Sequence, residues 1–198
     1  KYASFDGLNL TWETLEGIAK HNGPVLTKAG EPAGPYEGRH LPRALKDYNR
    51  RHDLELNTWP GIEAQVAAIA ADIAYNNHDI DDGFRARPYA LDDLARVPLT
   101  GRILEEVNGL YPNLEAPRLI YEITRRMIAL MIEDVVEEAE RRVAESGAGS
   151  DSDVRSASNA LVGFSPALND QCDELRFFLL SWVYRNDRVM SVVTAAES

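Results

Sequence analysis

Apolar residues recur along most of this chain at three- and four-residue spacing, the period of helices that bury one face. The first such stretch is Trp12 to His21, where Thr11 stands at a capping position, Glu13 near the positive helix end and Lys20 in the last turn. Asn22-Gly23-Pro24 stops it, and Gly30, Pro32, Gly34 and Pro35 then predict a long ordered or half-ordered loop to Gly38. Helical spacing resumes from Leu41 to Arg51. After the Thr58-Trp59-Pro60 break it runs from Ile62 through Val66, Ile69 and Ile73 to Ile80, a long Ala-rich helix expected to be buried on most sides.

Two shorter helices follow, Leu91 to Val97 and Leu99 to Leu110, separated by Pro98. Leu119, Ile123, Met127, Leu130 and Val135 mark one face of a long helix. Its stretch from Tyr121 to Met131 reads as core, and its end, Glu137 to Arg142, as a solvated face with i, i+4 pairing. Gly147 to Asp153 is small, polar and aperiodic, which predicts a mobile surface linker. Beyond Pro166, Leu168, Leu175, Phe178, Leu179 and Trp182 suit another helix, and Val189 to Val193 a last one. No segment sustains the strict alternation of a strand, so the fold class is all-α.

Composition narrows the function. The 198 residues are enough for one sizeable core. With 21 Lys plus Arg against 32 Asp plus Glu, the formal net charge is −11. That balance argues against duplex nucleic acid and anionic membrane as main partners, since both attract basic surfaces. A nucleotide remains compatible, because a few local cations outweigh a global field at one pocket. Cys172 is the single cysteine and can form no internal disulfide, which fits a reducing cytoplasm. The N-terminal Lys1-Tyr2-Ala3-Ser4 carries neither an initiator Met nor a signal-peptide run, and the chain reads as starting in mid-protein.

The richest chemistry lies in the run Glu63 to Gly83. On a helix, Ala71, Tyr75 and Asp79 share a stripe by i, i+4, i+8 spacing, and Asp72 sits about 100° round from Ala71. The pattern allows two readings. The polar groups line a pocket, or the C-terminal half of the helix simply emerges into solvent.

That run, together with Asn9-Leu10-Thr11-Trp12-Glu13-Thr14-Leu15-Glu16-Gly17-Ile18-Ala19-Lys20-His21-Asn22-Gly23-Pro24, resembles the bacterial deoxyguanosinetriphosphate triphosphohydrolase-like (dGTPase-like) proteins, an HD-domain family. The likeness continues more weakly at Val162 to Pro166 and Tyr184 to Val189. It implies a helical HD-domain-like bundle whose N-terminal part is missing from this chain: a partial HD-type domain over 1–146, a flexible linker over 147–157, and a C-terminal helical segment over 158–198 on the same core. It also implies hydrolysis of a deoxynucleoside triphosphate to deoxynucleoside and triphosphate, in the cytoplasm and in a homo-oligomer.

In the family a divalent ion (Mn, Mg, Fe, Co or Zn, which the sequence does not distinguish) is held by a His, a His-Asp pair and a later Asp. The first ligands belong before Lys1, so no catalytic residue and no bound ion are expected in this chain. The later Asp falls on Ala71, which has no donor. Asp72 is the only neighbour that could replace it, by a small helix rotation. Tyr75 and Asp79 match residues that pack on the deoxyribose and bond its 3′-hydroxyl, and Lys20 is a candidate triphosphate contact against the plainer role of a cation at a helix C-terminus. His40 and His52 have no partners at ligand spacing and read as surface residues. Two rivals stay open: a catalytically degenerate nucleotide-binding or regulatory module, and an α-helical scaffold without a ligand.

Overall fold

The computed structural model describes residues 3–4, 7–86 and 90–181. Its helices are α1 (Trp12–Lys20), α2 (Arg43–Asn49), α3 (Ile62–Ala86), α4 (Leu91–Leu94), α5 (Pro98–Leu110), α6 (Ala116–Ser146), α7 (Asp151–Ser156) and α8 (Pro166–Leu179). Among the described residues there is no strand, only an isolated antiparallel bridge between Leu26 and Pro32. No helix there is long and apolar enough to cross a membrane. The predicted helix at Val189 to Val193 and the likeness at Tyr184 to Val189 lie outside the described residues.

Local chemistry sets the helix starts. Thr11 caps α1 by accepting from the Thr14 amide. Pro98 and Pro166 open α5 and α8 at the position where a missing N–H costs nothing. Ser165 caps α8 and is itself held by Asp134, whose carboxylate accepts from the Ser165 amide at 2.8 Å and its hydroxyl at 2.6 Å.

The chain divides into two compact units: residues 1–70 with 139–163, and residues 71–138 with 164–198. This differs from the division at 147–157 expected from sequence, because α3 and α6 each run from one unit into the other. In the first unit Val25, Leu41, Leu54 and Leu56 form a buried cluster, with Trp12, Leu15 and Tyr36 packed against it. The loop after α1 is ordered by that cluster. Both Val25 and Leu26 donate to the Leu56 carbonyl, and Ala33 donates to Val25. Buried Gln65 donates to the Pro60 carbonyl, while its Oε1 accepts from the Leu161 and Val162 amides at 2.8 and 3.1 Å.

In the second unit the buried side chains come from one face of each helix: Leu99, Ile103 and Val107 of α5, Ile120, Ile123, Met127 and Met131 of α6, and Leu168, Cys172 and Leu175 of α8. Helices α5 and α8 pack together. Gly101 is required at the start of α5, since a Cβ there would lie 2.4 Å from the Ala95 carbonyl oxygen.

Four expectations are corrected. The segment 147–157 is not all flexible linker: it contains α7, capped by Ser150, whose side chain accepts from the Asp153 amide while the Asp153 carboxylate accepts from Gly149 and Ser150. Helix α3 is not buried on most sides, because Val66, Ala67, Ala70, Ala71, Ala74 and Tyr75 are exposed. Tyr121 is exposed rather than core, as it lies about 120° round from Met127 and about 80° from Met131. Glu138 is buried, since it falls three residues after Val135 on the inward stripe.

Candidate functional site

The first motif builds a closed network in the first unit. The spacing of Glu16 and Lys20 puts both on one face of α1, and both are fully enclosed. The Lys20 ammonium lies 3.0 Å from Glu16 Oε2 and donates to the Glu55 carbonyl at 2.8 Å and to Thr58 Oγ1 at 2.7 Å. Its three protons are therefore all engaged. Arg155 of α7 reaches the same carboxylate from the other side, with Nη2 and Nε at 2.7 and 3.0 Å from Oε1. The Trp12 ring stacks under both cations, 4.9 Å from Arg155 and 5.9 Å from Lys20, and its indole N–H donates to the Asp53 carbonyl.

Burial alone would raise the Glu16 pKa, but hydrogen bonds from Arg155 and Lys20 outweigh it and hold the carboxyl below the ordinary range. Burial also lowers the Lys20 pKa against the pull of Glu16. This arrangement braces α1 to α7 and to the loop at Glu55–Thr58. It leaves Lys20 no proton to offer a triphosphate. His21 is exposed, with Nδ1 3.2 Å from the Gly17 carbonyl. A cavity of about 500 Å³ lies beside α1, floored by Gly17, Ile18 and Ala64 and edged by Glu13, Glu63 and Asp151.

The second motif stays open, in the second unit. Ala71 and Tyr75 are exposed on one stripe of α3 and Asp79, two turns on, is half-buried; the Tyr75 ring keeps 67% of its surface in solvent. Asp72 points to a different neighbour, 3.4 Å from the Arg176 guanidinium of α8, which also bonds Asp173 at 3.0 Å. Just behind the stripe Asn76 and Asn77 are buried. Asn77 Nδ2 donates to the Ile73 carbonyl, whereas Asn76 Nδ2 has no hydrogen-bond partner among the described residues.

The donors present do not fit a divalent ion. Ala71 offers none, Asp72 is tied to a cation, and the described residues hold no group of three His, Cys, Asp or Glu that could hold a metal ion. Cys172 is buried, and burial pushes its thiol up to about 11, which leaves it without thiolate character near neutral pH.

Arg155, Gln65 and Asn76 were not singled out from sequence. Arg155 meets Glu16 across 139 positions, and no local pattern signals such a pairing. His40 and His52 are exposed, His52 edge-on to Tyr48.

Comparison with known proteins agrees with the two motifs. A protein of Parvibaculum lavamentivorans named deoxyguanosinetriphosphate triphosphohydrolase-like is 48% identical over 197 residues, covering 100% of this chain and 48% of that protein. The chain is homologous to part of a dGTPase-like protein. Relatives with the same name in Brucella ovis (48% identical, 96% of this chain and 46% of theirs) and Nitrobacter hamburgensis (46% identical, 100% and 49%) agree. The chain thus spans about half the length of the curated dGTPase-like relatives it matches. No family model matches it.

Proposed function

We propose that this chain is part of a triphosphohydrolase that cleaves a deoxynucleoside triphosphate to the deoxynucleoside and intact triphosphate, and that its own contribution is sugar recognition by α3. The observation that carries this is the open stripe: an aromatic ring at position 75, two-thirds exposed, and a carboxylate one turn further along the same face. A tyrosine face packs against the apolar side of a deoxyribose, and an aspartate accepts a hydrogen bond from a 3′-hydroxyl. The close packing that favours Tyr75 against C2′ also disfavours a 2′-hydroxyl. Water supplies the nucleophile and the 5′-oxygen leaves with a proton, so a single P–O bond is exchanged.

Divalent-ion chemistry belongs to residues beyond those described here, and no step is assigned to this chain. The longer protein works in the cytoplasm and as a homo-oligomer, with a deoxynucleoside triphosphate as its small-molecule partner. The alternative of a catalytically degenerate nucleotide-binding module is favoured by one observation, the methyl group of Ala71 where the family places a ligand.

The test is calorimetric titration of the chain with deoxyguanosine and guanosine, alongside an assay for triphosphate release from dGTP with Mn²⁺. Deoxyguanosine is expected to bind more tightly than guanosine, Tyr75→Ala to remove at least about tenfold of that affinity, worth ~1.4 kcal/mol, and turnover by the chain alone to be absent. Equal affinity for the two nucleosides, unchanged by Tyr75→Ala, overturns the sugar-site reading. Metal-dependent turnover by the chain overturns the assignment of the metal chemistry elsewhere.

A further inference from the structure

The open stripe of α3 carries a third side chain able to form directional bonds. Counting about 100° per residue from Ala71, Tyr75 lies about 40° round, Asp79 about 80° on the same side and His78 about 20° on the other. His78 and Asp79 therefore flank the tyrosine ring, one turn further along the helix. His78 is exposed, and its two ring nitrogens have no hydrogen-bond partner among the described residues. By contrast, Nδ1 of His21 lies 3.2 Å from the Gly17 carbonyl, and His52 meets Tyr48 edge-on.

The two flanks differ in the room they leave. Beyond Asp79, which is half-buried, the helix surface turns into the interior at Gly83 and Asn76, both buried, at about 120° and about 140°. On the His78 flank, Ala74 one turn before it and Arg85 two turns after it are exposed, and Ala74 carries only a methyl group. The covalent structure of a deoxyribose meets this asymmetry. C3′ and C1′ stand on either side of C2′, so a ring held with C2′ on Tyr75 and its 3′-hydroxyl on Asp79 sends the base on C1′ the other way, over His78. A base on the Asp79 side would run into the buried face.

The part of a base nearest its sugar is the edge that bears N3 of a purine or O2 of a pyrimidine, in each case a hydrogen-bond acceptor. A neutral imidazole has one N–H to donate. We infer that His78 is the base contact of this site, donating to that acceptor, a contact that does not distinguish purines from pyrimidines. This rests on the sugar-site reading above and adds to it the group that meets the base.

Calorimetric titration of the 198-residue chain with 2′-deoxyadenosine and with its 3-deaza analogue, in which a C–H replaces N3, tests the contact. The parent chain is expected to bind deoxyadenosine about fivefold more tightly than the analogue, the worth of one neutral hydrogen bond. His78→Ala should bind the two equally, with its helical circular dichroism unchanged because the position is exposed, and should keep the preference for deoxyadenosine over adenosine. Equal affinity of the parent for deoxyadenosine and the analogue overturns the inference. So does a preference for deoxyadenosine over the analogue that survives His78→Ala; in both cases the sugar reading stands as long as Tyr75→Ala weakens binding. A parent chain that binds neither nucleoside overturns both.

Discussion

The two motif-bearing helices put similar residue types to opposite uses. In α1 the charged residues turn inward: Glu16 and Lys20 are enclosed, and Arg155 and Trp12 close the network around them. In the C-terminal half of α3 the aromatic and acidic residues turn outward, with Tyr75 and Asp72 in solvent and Asp79 half-buried. An enclosed ion pair in which the Lys20 ammonium has every proton engaged leaves that cation nothing to give a ligand, and the pair acts on stability. An exposed aromatic ring gains little for the fold from its exposure, which leaves the Tyr75 ring available to the sugar site proposed above.

The sharpest way to break this contrast is Glu16→Ala. It leaves Lys20 and Arg155 as two buried or nearly buried cations without their counter-ion, and is expected to cost about 3–5 kcal/mol in urea unfolding. A loss below about 1 kcal/mol would mean that the network is no brace. Acid should reach the same carboxylate. Its folded pKa is depressed, so its contribution is fully present above the ordinary carboxylate pKa and is lost as pH falls through that value towards the folded one. Stability attributable to Glu16 should accordingly be flat from neutral pH to about 5 and decline below that, with the decline smaller in Glu16→Gln.

On the open helix, effects on the fold should be small. Asp72→Ala removes an exposed pair with Arg176 and should cost less than about 1 kcal/mol, and Ala71→Asp at an exposed helical site about 0.5 kcal/mol. Their effects on metal should be ordered oppositely. In the longer protein Ala71→Asp is expected to raise bound metal, since position 71 shares the stripe of Tyr75 and Asp79, while Asp72→Ala should leave it unchanged. Stoichiometric metal in the parent that Asp72→Ala abolishes would make Asp72 the ligand.

The helical class and most helix starts were legible in the sequence because caps and prolines are local signals: Thr11, Pro98 and Pro166 each mark a start the structure reproduces. Helix α7 was hidden by the small polar residues before it, although Ser150 and Asp153 carry the spacing of a capping box. The inward turn of Lys20 depends on Arg155 and on the Glu55 carbonyl, which only the folded chain brings near. The open face of α3 was legible only as one of two readings, that the C-terminal half of the helix emerges into solvent, and its alanines are the reason. Alanine suits both a tightly buried helix and a bare one, so Ala67, Ala70, Ala71 and Ala74 carry no signal of which they are.

Gln65 has a further consequence, for the order in which the chain can fold. Its side-chain oxygen accepts from the amides of Leu161 and Val162, nearly a hundred residues later, and the unit it belongs to is assembled from residues 1–70 and 139–163. Contacts this distant in sequence carry the entropy of closing a long loop before they return any stabilisation. During synthesis, α1 and the Val25–Leu56 cluster emerge first, yet the brace at Glu16 and the acceptor at Gln65 must wait until Arg155 and Val162 have been made. Until then Glu16 has Lys20 but not Arg155 as counter-ion, and the early half of the chain is the part most in need of protection from misassembly.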